Sequence, residues 1–151
     1  MEHRICVGAF VVQDDKLLMV NHKRAGRYNF WVSPGGGVKG VESLEEAVIR
    51  EVKEETGLDV SVNKLMYIEQ MHFPKERSVK FWYHCELTGG TLDCTAQEAT
   101  IEYIVDATFM DRETLEVNEV YPPMLKEDFW EKVKQPSVQP KVIELRELIN
   151  Y

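Results

Sequence analysis

Residues 50–57 read Arg50-Glu51-Val52-Lys53-Glu54-Glu55-Thr56-Gly57, REVKEETG, and gather three carboxylates near the end of a predicted helix. The C-terminal pole of a helix is negative and disfavours anions, and like charges three or four residues apart repel. Upstream, Ser43-Leu44-Glu45-Glu46 fits a capping box, in which Ser43 accepts from the amide of Glu46 while the Glu46 side chain accepts from the amide of Ser43. Gly57 suits the left-handed conformation that closes a helix. The helix is therefore expected to begin at Ser43 and to stop at Thr56, after about four turns.

At about 100° per residue, Leu44, Ala47, Val48 and Val52 mark the inward face of this helix. Glu51 and Glu55 project in nearly the same direction and Glu54 lies at the margin. Glu46, Arg50 and Lys53 fall on the outward side, at spacings that allow pairing. Carboxylates turned inward carry a desolvation penalty, so a positive group is expected among them. Oxygen ligands suit a hard divalent cation, and Mg²⁺ commonly bridges a few carboxylates to substrate phosphates. Arg50 is better placed to orient a glutamate than to replace the metal.

Working outward from the helix, residues 5–12 and 17–20 are apolar runs separated by Gln13-Asp14-Asp15, the pattern of a hairpin entering a buried sheet. Pro34-Gly35-Gly36-Gly37 is a breaker before the helix. Residues 60–71 read as one or two strands. In residues 79–87, Val79, Phe81, Tyr83, Cys85 and Leu87 alternate with Lys80, Trp82, His84 and Glu86, the period of a half-buried strand. A strand is predicted over 101–110, a short capped helix over 111–115, an amphipathic helix over 124–134 and, after a linker at 135–140, a last helix over 141–150. The whole is expected to form one domain, 1–151.

The composition narrows the partners. The chain has 151 residues and a net charge of -8, from 26 Asp and Glu against 18 Lys and Arg, which repels a phosphate backbone and argues against general nucleic-acid binding. A small anionic substrate remains compatible if metal ions mediate the contact. Three cysteines, Cys6, Cys85 and Cys94, form no CxxC pair and suggest neither a disulfide framework nor a zinc site. With no apolar run long enough to span a bilayer, a cytoplasmic location is expected.

Gly36, five residues, Glu42, seven residues and then Arg50 to Leu58 resemble the complete signature of the Nudix hydrolases, matching at every specified position. The flanks are similar too, at Trp31, Pro34-Gly35-Gly36 and residues 107–115. The resemblance implies an α/β fold, a Nudix-type sandwich with a mixed β-sheet between helices. It also implies hydrolysis, by water attacking phosphorus, of a nucleoside diphosphate linked to another group. By the family's pattern Glu51, Glu54 and Glu55 would hold Mg²⁺ or Mn²⁺, Arg50 would orient a carboxylate and Gly36 would lend a backbone carbonyl. A general base would come from the box or from a later glutamate. Glu98 and Glu102 both qualify, with Glu98 preferred because residues 93–97 read as loop whereas Glu102 is expected to begin a strand.

Substrate contacts are read more broadly. Pro74 stands at about the distance beyond the box where a proline in the family goes with ADP-ribose and related sugar nucleotides; it also fits a turn between strands. Trp82 and His84 either face a base and a phosphate or pack beneath a helix. Arg24 and Arg27 either fork onto phosphate or form a solvated hairpin, and Tyr121 is a candidate wall of a base pocket. ADP-ribose or a sugar nucleotide is the first expected substrate, with nucleoside triphosphate pyrophosphohydrolysis as the alternative. The alternative of another class is a non-catalytic nucleotide sensor, although such members often lose box glutamates and all are present here. Family members are frequently dimers, so a homodimer is the assembly to expect.

Overall fold

In the computed structural model, which describes residues 1–137 and 139–148, a mixed sheet carries helices on both faces. Strand β1 (Glu2–Gln13) turns through Asp14 and Asp15, both with positive φ, into β2 (Lys16–Arg24). Such a two-residue turn matches the twist of the strands it joins. Strand β3 (Tyr28–Val32) pairs with β2, and the short β4 (Gly35–Gly37) pairs with β1. Helix α1 (Leu44–Thr56) follows, then β5 (Leu58–Phe73) and β6 (Glu76–Gly90), which form a long antiparallel pair. β6 also lies parallel to β1.

The remaining elements are short: α2 (Gln97–Ile101), β7 (Ile104–Met110), α3 (Arg112–Val117), β8 (Val120–Tyr121), a 3₁₀ turn (Pro123–Lys126) and α4 (Phe129–Val133). Strands β9 (Lys141–Val142) and β10 (Arg146–Glu147) run parallel to β5.

Two hydrophobic layers sandwich β1. Val7, Ala9 and Val11 face Ala47, Val48 and Val52 of α1, while Phe10, on the other side, joins Trp82, Tyr67, Leu125 and Phe129. Period-2 alternation thus serves two cores at once, so the apolar run of β1 is continuous. The ends of α1 follow the sequence: Ser43 and Glu46 form the capping box, and Gly57 closes the helix at φ 76°. Asp111 likewise accepts from the Thr114 amide at the start of α3.

Four expectations need correction. Residues 141–148 form β9 and β10 instead of a helix, because their amides and carbonyls pair with β5 and because Arg146 reaches buried Glu69 at 2.8 Å; residues 149–150 lie outside those described. The helix expected over 124–134 is broken at Glu127 and Asp128, where Asp128 accepts hydrogen bonds from the Tyr67 hydroxyl at 2.8 Å and from Lys141 at 3.0 Å. The strand expected from residue 101 begins at Ile104, after the helical turn of α2. Finally, β6 is covered on both faces at Trp82, whereas Lys80 and His84 on the same side are only partly buried and Glu86 is exposed.

That last point removes Trp82 from the candidate base contacts. The indole is 1% exposed, stacks on Phe10 at 4.9 Å with the planes 9° apart, and donates to Glu69 at 3.1 Å. Gly8 makes room for it, since a Cβ there would fall 2.1 Å from the ring. His84, on the same side of β6, lines neither of the two clefts described below, and its Nδ1 is buried without a hydrogen-bond partner.

Candidate active site

The carboxylates of α1 face inward because the capping box and Gly57 fix the helix ends, while Ala47, Val48 and Val52 fix its rotation on the sheet. Glu51 is 4% exposed and Glu55 2%. One carboxylate oxygen from each lies within 4.8 Å of the other and of one from Glu102, which stands just past the end of α2. Glu55 Oε2 accepts from the Gly35 amide at 3.3 Å, but its Oε1 is buried without a hydrogen-bond partner. The Glu51 and Glu102 carboxylates beside it are acceptors too, so nothing among the described residues donates to this oxygen.

The electrostatics follow from this crowding. Burial, reinforced by the charges of Glu102 and Glu51, raises the Glu55 carboxyl well above the usual carboxylate range. Glu102 is raised as well, by burial first and by Glu51 next. Glu54 sits at the margin, its Oε2 accepting from Arg50 at 3.1 Å.

Arg50 is not an outward-facing partner at helical spacing alone. Its guanidinium forks onto Glu42, Nε to Oε2 at 2.9 Å and Nη2 to Oε1 at 2.6 Å, and also donates to Glu51 at 2.9 Å and to the Gly37 carbonyl at 3.0 Å. Those hydrogen bonds hold Glu42 at a pKa of about 2 and raise that of Arg50. On the outward side Lys53 pairs instead with Asp59, at 3.1 Å.

The residues fit a hard divalent cation: an all-oxygen donor set, an orphaned buried oxygen on Glu55, and a close approach of backbone that only glycine permits. A Cβ on Gly36 would lie 2.5 Å from Glu51 Oε1. Any side chain at this position would strike the carboxylate.

Two clefts meet at this cluster. The larger, about 770 Å³, reaches Glu55, Gly36, Glu102 and Lys80, and its wall includes Arg24, Arg27 and Phe30. The second, about 560 Å³, reaches Glu51, Glu54, Glu98 and Glu102, with Lys39 on its wall. Arg24 and Arg27 are thus on the cleft, with Arg24 also 4.8 Å from the Tyr103 ring centre. Pro74 is both the turn between β5 and β6 and a wall of the larger cleft. Tyr121 lies edge-on to Phe30 at 5.4 Å and donates to Glu119, without being among the lining residues of either cleft.

For Glu98 and Glu102 the local premise is reversed. Glu98 belongs to α2 and Glu102 is its C-cap, so neither sits on an open loop or starts a strand. Glu102 enters the carboxylate cluster, whereas Glu98 lines only the second cleft. Sequence reasoning did not single out Lys80 or Phe30. Lys80 was legible only as a polar position of an alternating strand, and Phe30 as an apolar residue of a short one.

A carboxylate-bearing helix laid on one face of a mixed, two-sided sheet defines an α/β class in which a helix end supplies acidic side chains to an open cleft. The model of the NUDIX domain matches residues 2–130, and the chain belongs to the NUDIX family. It is 33% identical over 103 residues to Nudix hydrolase 2 of Arabidopsis thaliana, a match covering 66% of this chain and 37% of that protein. It is 32% identical over 90 residues to an ADP-ribose pyrophosphatase of Methanocaldococcus jannaschii, covering 58% of this chain and 53% of that one. The chain therefore spans from about a third to about half of these curated relatives. In fold it resembles an ADP-ribose pyrophosphatase of Streptococcus suis, with a TM-score of 0.71, 21% identity, and coverage of 93% of this chain and 98% of the other. Among the described residues no helix is long and apolar enough to cross a membrane.

Proposed function

We propose that this protein is a Mg²⁺-dependent pyrophosphohydrolase acting on a nucleoside diphosphate linked to a second group, with ADP-ribose or a sugar nucleotide as its first substrate. The observation that carries this reading is the cluster of Glu51, Glu55 and Glu102 at the meeting of two clefts, with Glu55 Oε1 lacking a donor. Glu51, Glu54 and Glu55, with the Gly36 backbone, would hold the cation. When bound, Mg²⁺ (or Mn²⁺) supplies charge neutralisation of the diphosphate and acidification of a water.

The chain's own side chains perform the rest. Arg50 holds Glu51 and Glu54 in place through Nη1 while Glu42 anchors the opposite side of the guanidinium. Glu102 is the candidate general base: it is close to both buried glutamates and lines both clefts, so it faces the water and the substrate that would meet there. Lys80, Arg4 and Arg24 on the larger cleft supply positive charge for phosphate oxygens that a chain of net charge -8 would otherwise repel.

The test is a Mg²⁺-dependent hydrolysis screen read by product identity. Formation of AMP and ribose phosphate from ADP-ribose supports this reading. Nucleoside monophosphate plus pyrophosphate from a triphosphate supports the alternative, and tight nucleotide binding without turnover of any compound supports a sensor.

A further inference from the structure

The larger cleft changes character along its length, and the change gives it a direction. Strand β3 alternates, so Tyr28, Phe30 and Val32 line the cleft while Trp31 turns to the hydrophobic layer behind the sheet. Across the β2–β3 ladder Phe30 is opposite His22, which also lines the cleft. The two rings are parallel, 1° apart in plane, with centres 5.5 Å apart. Stacked one on the other with an offset, they form a short aromatic column on the cleft wall that a further ring can extend, and Phe30 is only half-buried. Tyr121 braces Phe30 edge-on and Tyr28 flanks it at 5.5 Å, so the ring is held from two sides.

Toward the carboxylates the lining becomes cationic. Lys80 Cε lies 3.2 Å from where a Cβ on Gly35 would stand, and the Gly35 amide donates to Glu55. The ammonium is therefore close to the acidic cluster, held 4.3 Å from the Trp82 ring centre. It makes no ion pair within 4 Å among the described residues. A buried aromatic supports this cation from beneath and leaves its donors to the cleft.

We propose that the His22–Phe30 ring pair is the platform on which the nucleobase stacks, with Lys80 facing the diphosphate between that platform and the acidic cluster. This assignment rests on the pyrophosphohydrolase reading for its substrate class and adds the orientation, with the nucleoside toward β3 and the scissile linkage toward α1. Stacking tolerates different bases, because each offers a π face. Selection between bases would then fall to the rim, where Arg27 stands.

Calorimetric titration with AMP and, separately, with inorganic pyrophosphate, each with Mg²⁺, tests the platform. Phe30→Leu keeps an apolar side chain without a ring, Phe30→Trp keeps a ring, and thermal melts verify that both are folded. Phe30→Leu is expected to weaken AMP binding about tenfold or more while leaving pyrophosphate binding within about twofold, and Phe30→Trp to retain AMP. Lys80→Met is expected to weaken both ligands. Equal AMP affinity in Phe30→Leu and the parent, parallel loss of both ligands in Phe30→Leu, or a parent protein that binds no AMP would each overturn the platform. Undiminished pyrophosphate binding in Lys80→Met would overturn the role of the lysine. Selective AMP loss in Phe30→Leu, in a protein that hydrolyses no compound of the screen, would keep the platform and reject the hydrolase reading.

Discussion

Arg50 and Glu42 are joined by two hydrogen bonds in a fork, while the remaining guanidinium nitrogen position facing α1 is shared by Glu51 and Glu54. One cation thus organises three carboxylates, and its planar geometry is what allows this. Lysine offers a point charge in place of the fork. Arg50→Lys is expected to weaken divalent-ion affinity by about ten- to a hundredfold, the usual effect of disturbing the groups that orient metal ligands. Titration with Mn²⁺ followed by electron paramagnetic resonance measures this; unchanged affinity would separate Arg50 from the site.

The same fork makes a pH prediction. The folded pKa of Glu42, about 2, lies below its ordinary value, chiefly because of the Arg50 hydrogen bonds and then the Lys39 amide. A depressed carboxyl stabilises the fold fully above its unfolded pKa and loses that contribution as pH falls toward the folded value. The difference in urea midpoint between the parent and Glu42→Gln should be constant near neutrality and shrink from about pH 4.5 toward pH 2. A difference that holds constant through that window would contradict the assignment.

Glu55 carries the opposite sign. Its folded pKa is raised, so the folded state binds more protons, and the metal-free protein should lose stability as pH rises from the ordinary carboxylate range through the raised value. Adding Mg²⁺ near pH 8 should raise the melting temperature, whereas Glu55→Gln should flatten the pH dependence and reduce the Mg²⁺ response. Melting curves across pH, with chelator and with Mg²⁺, check both. A parent protein indifferent to Mg²⁺ would remove the metal from this cluster.

Glu102 and Glu98 can be separated by rate. Glu102→Gln is expected to lower kcat by about 10²–10⁴-fold if it moves the proton, with Mg²⁺ binding retained, while Glu98→Gln changes kcat only a few-fold. Single-turnover measurements on the substrate found by the screen decide between them. The reverse ranking would restore Glu98.

Trp82 makes a prediction about stability and not substrate. Trp82→Ala should cost about 3–5 kcal/mol, the range for removing a large buried aromatic. Trp82→Phe, which leaves Glu69 one donor short, should lower the urea midpoint while leaving the KM for substrate within about twofold. A large KM increase in Trp82→Phe would return the indole to the binding surface.

Helix α1 was readable because its signals are local: Ser43 and Glu46 cap one end, Gly57 the other, and the apolar stripe sets the rotation that buries Glu51 and Glu55. Trp82 was misplaced because alternation reveals that a strand has two faces, not that both are covered; Gly8, seventy-odd positions away, makes the space it fills. The last helix is expected over 141–150 from local pattern alone, yet within 141–148 long-range pairing with β5 and the Glu69–Arg146 ion pair override a weak local preference. Glu98 is preferred in the sequence because residues 93–97 read as loop and Glu102 as the start of a strand; the short helix α2, which brings Glu102 to Glu51 and Glu55, has no local signal that sets it apart. The aromatic platform was out of reach for a similar reason, since it joins His22 and Phe30 across two strands.

The ladder from β9 and β10 to β5 also has a meaning for solubility. β5 is sixteen residues long, and on the flank away from β6 its amides and carbonyls are partnered in part by these two short segments. A bare flank of that length would be a template for strands of neighbouring molecules. Trimming the chain ahead of Lys141 would therefore be felt first as self-association on concentration, before any change at the carboxylates.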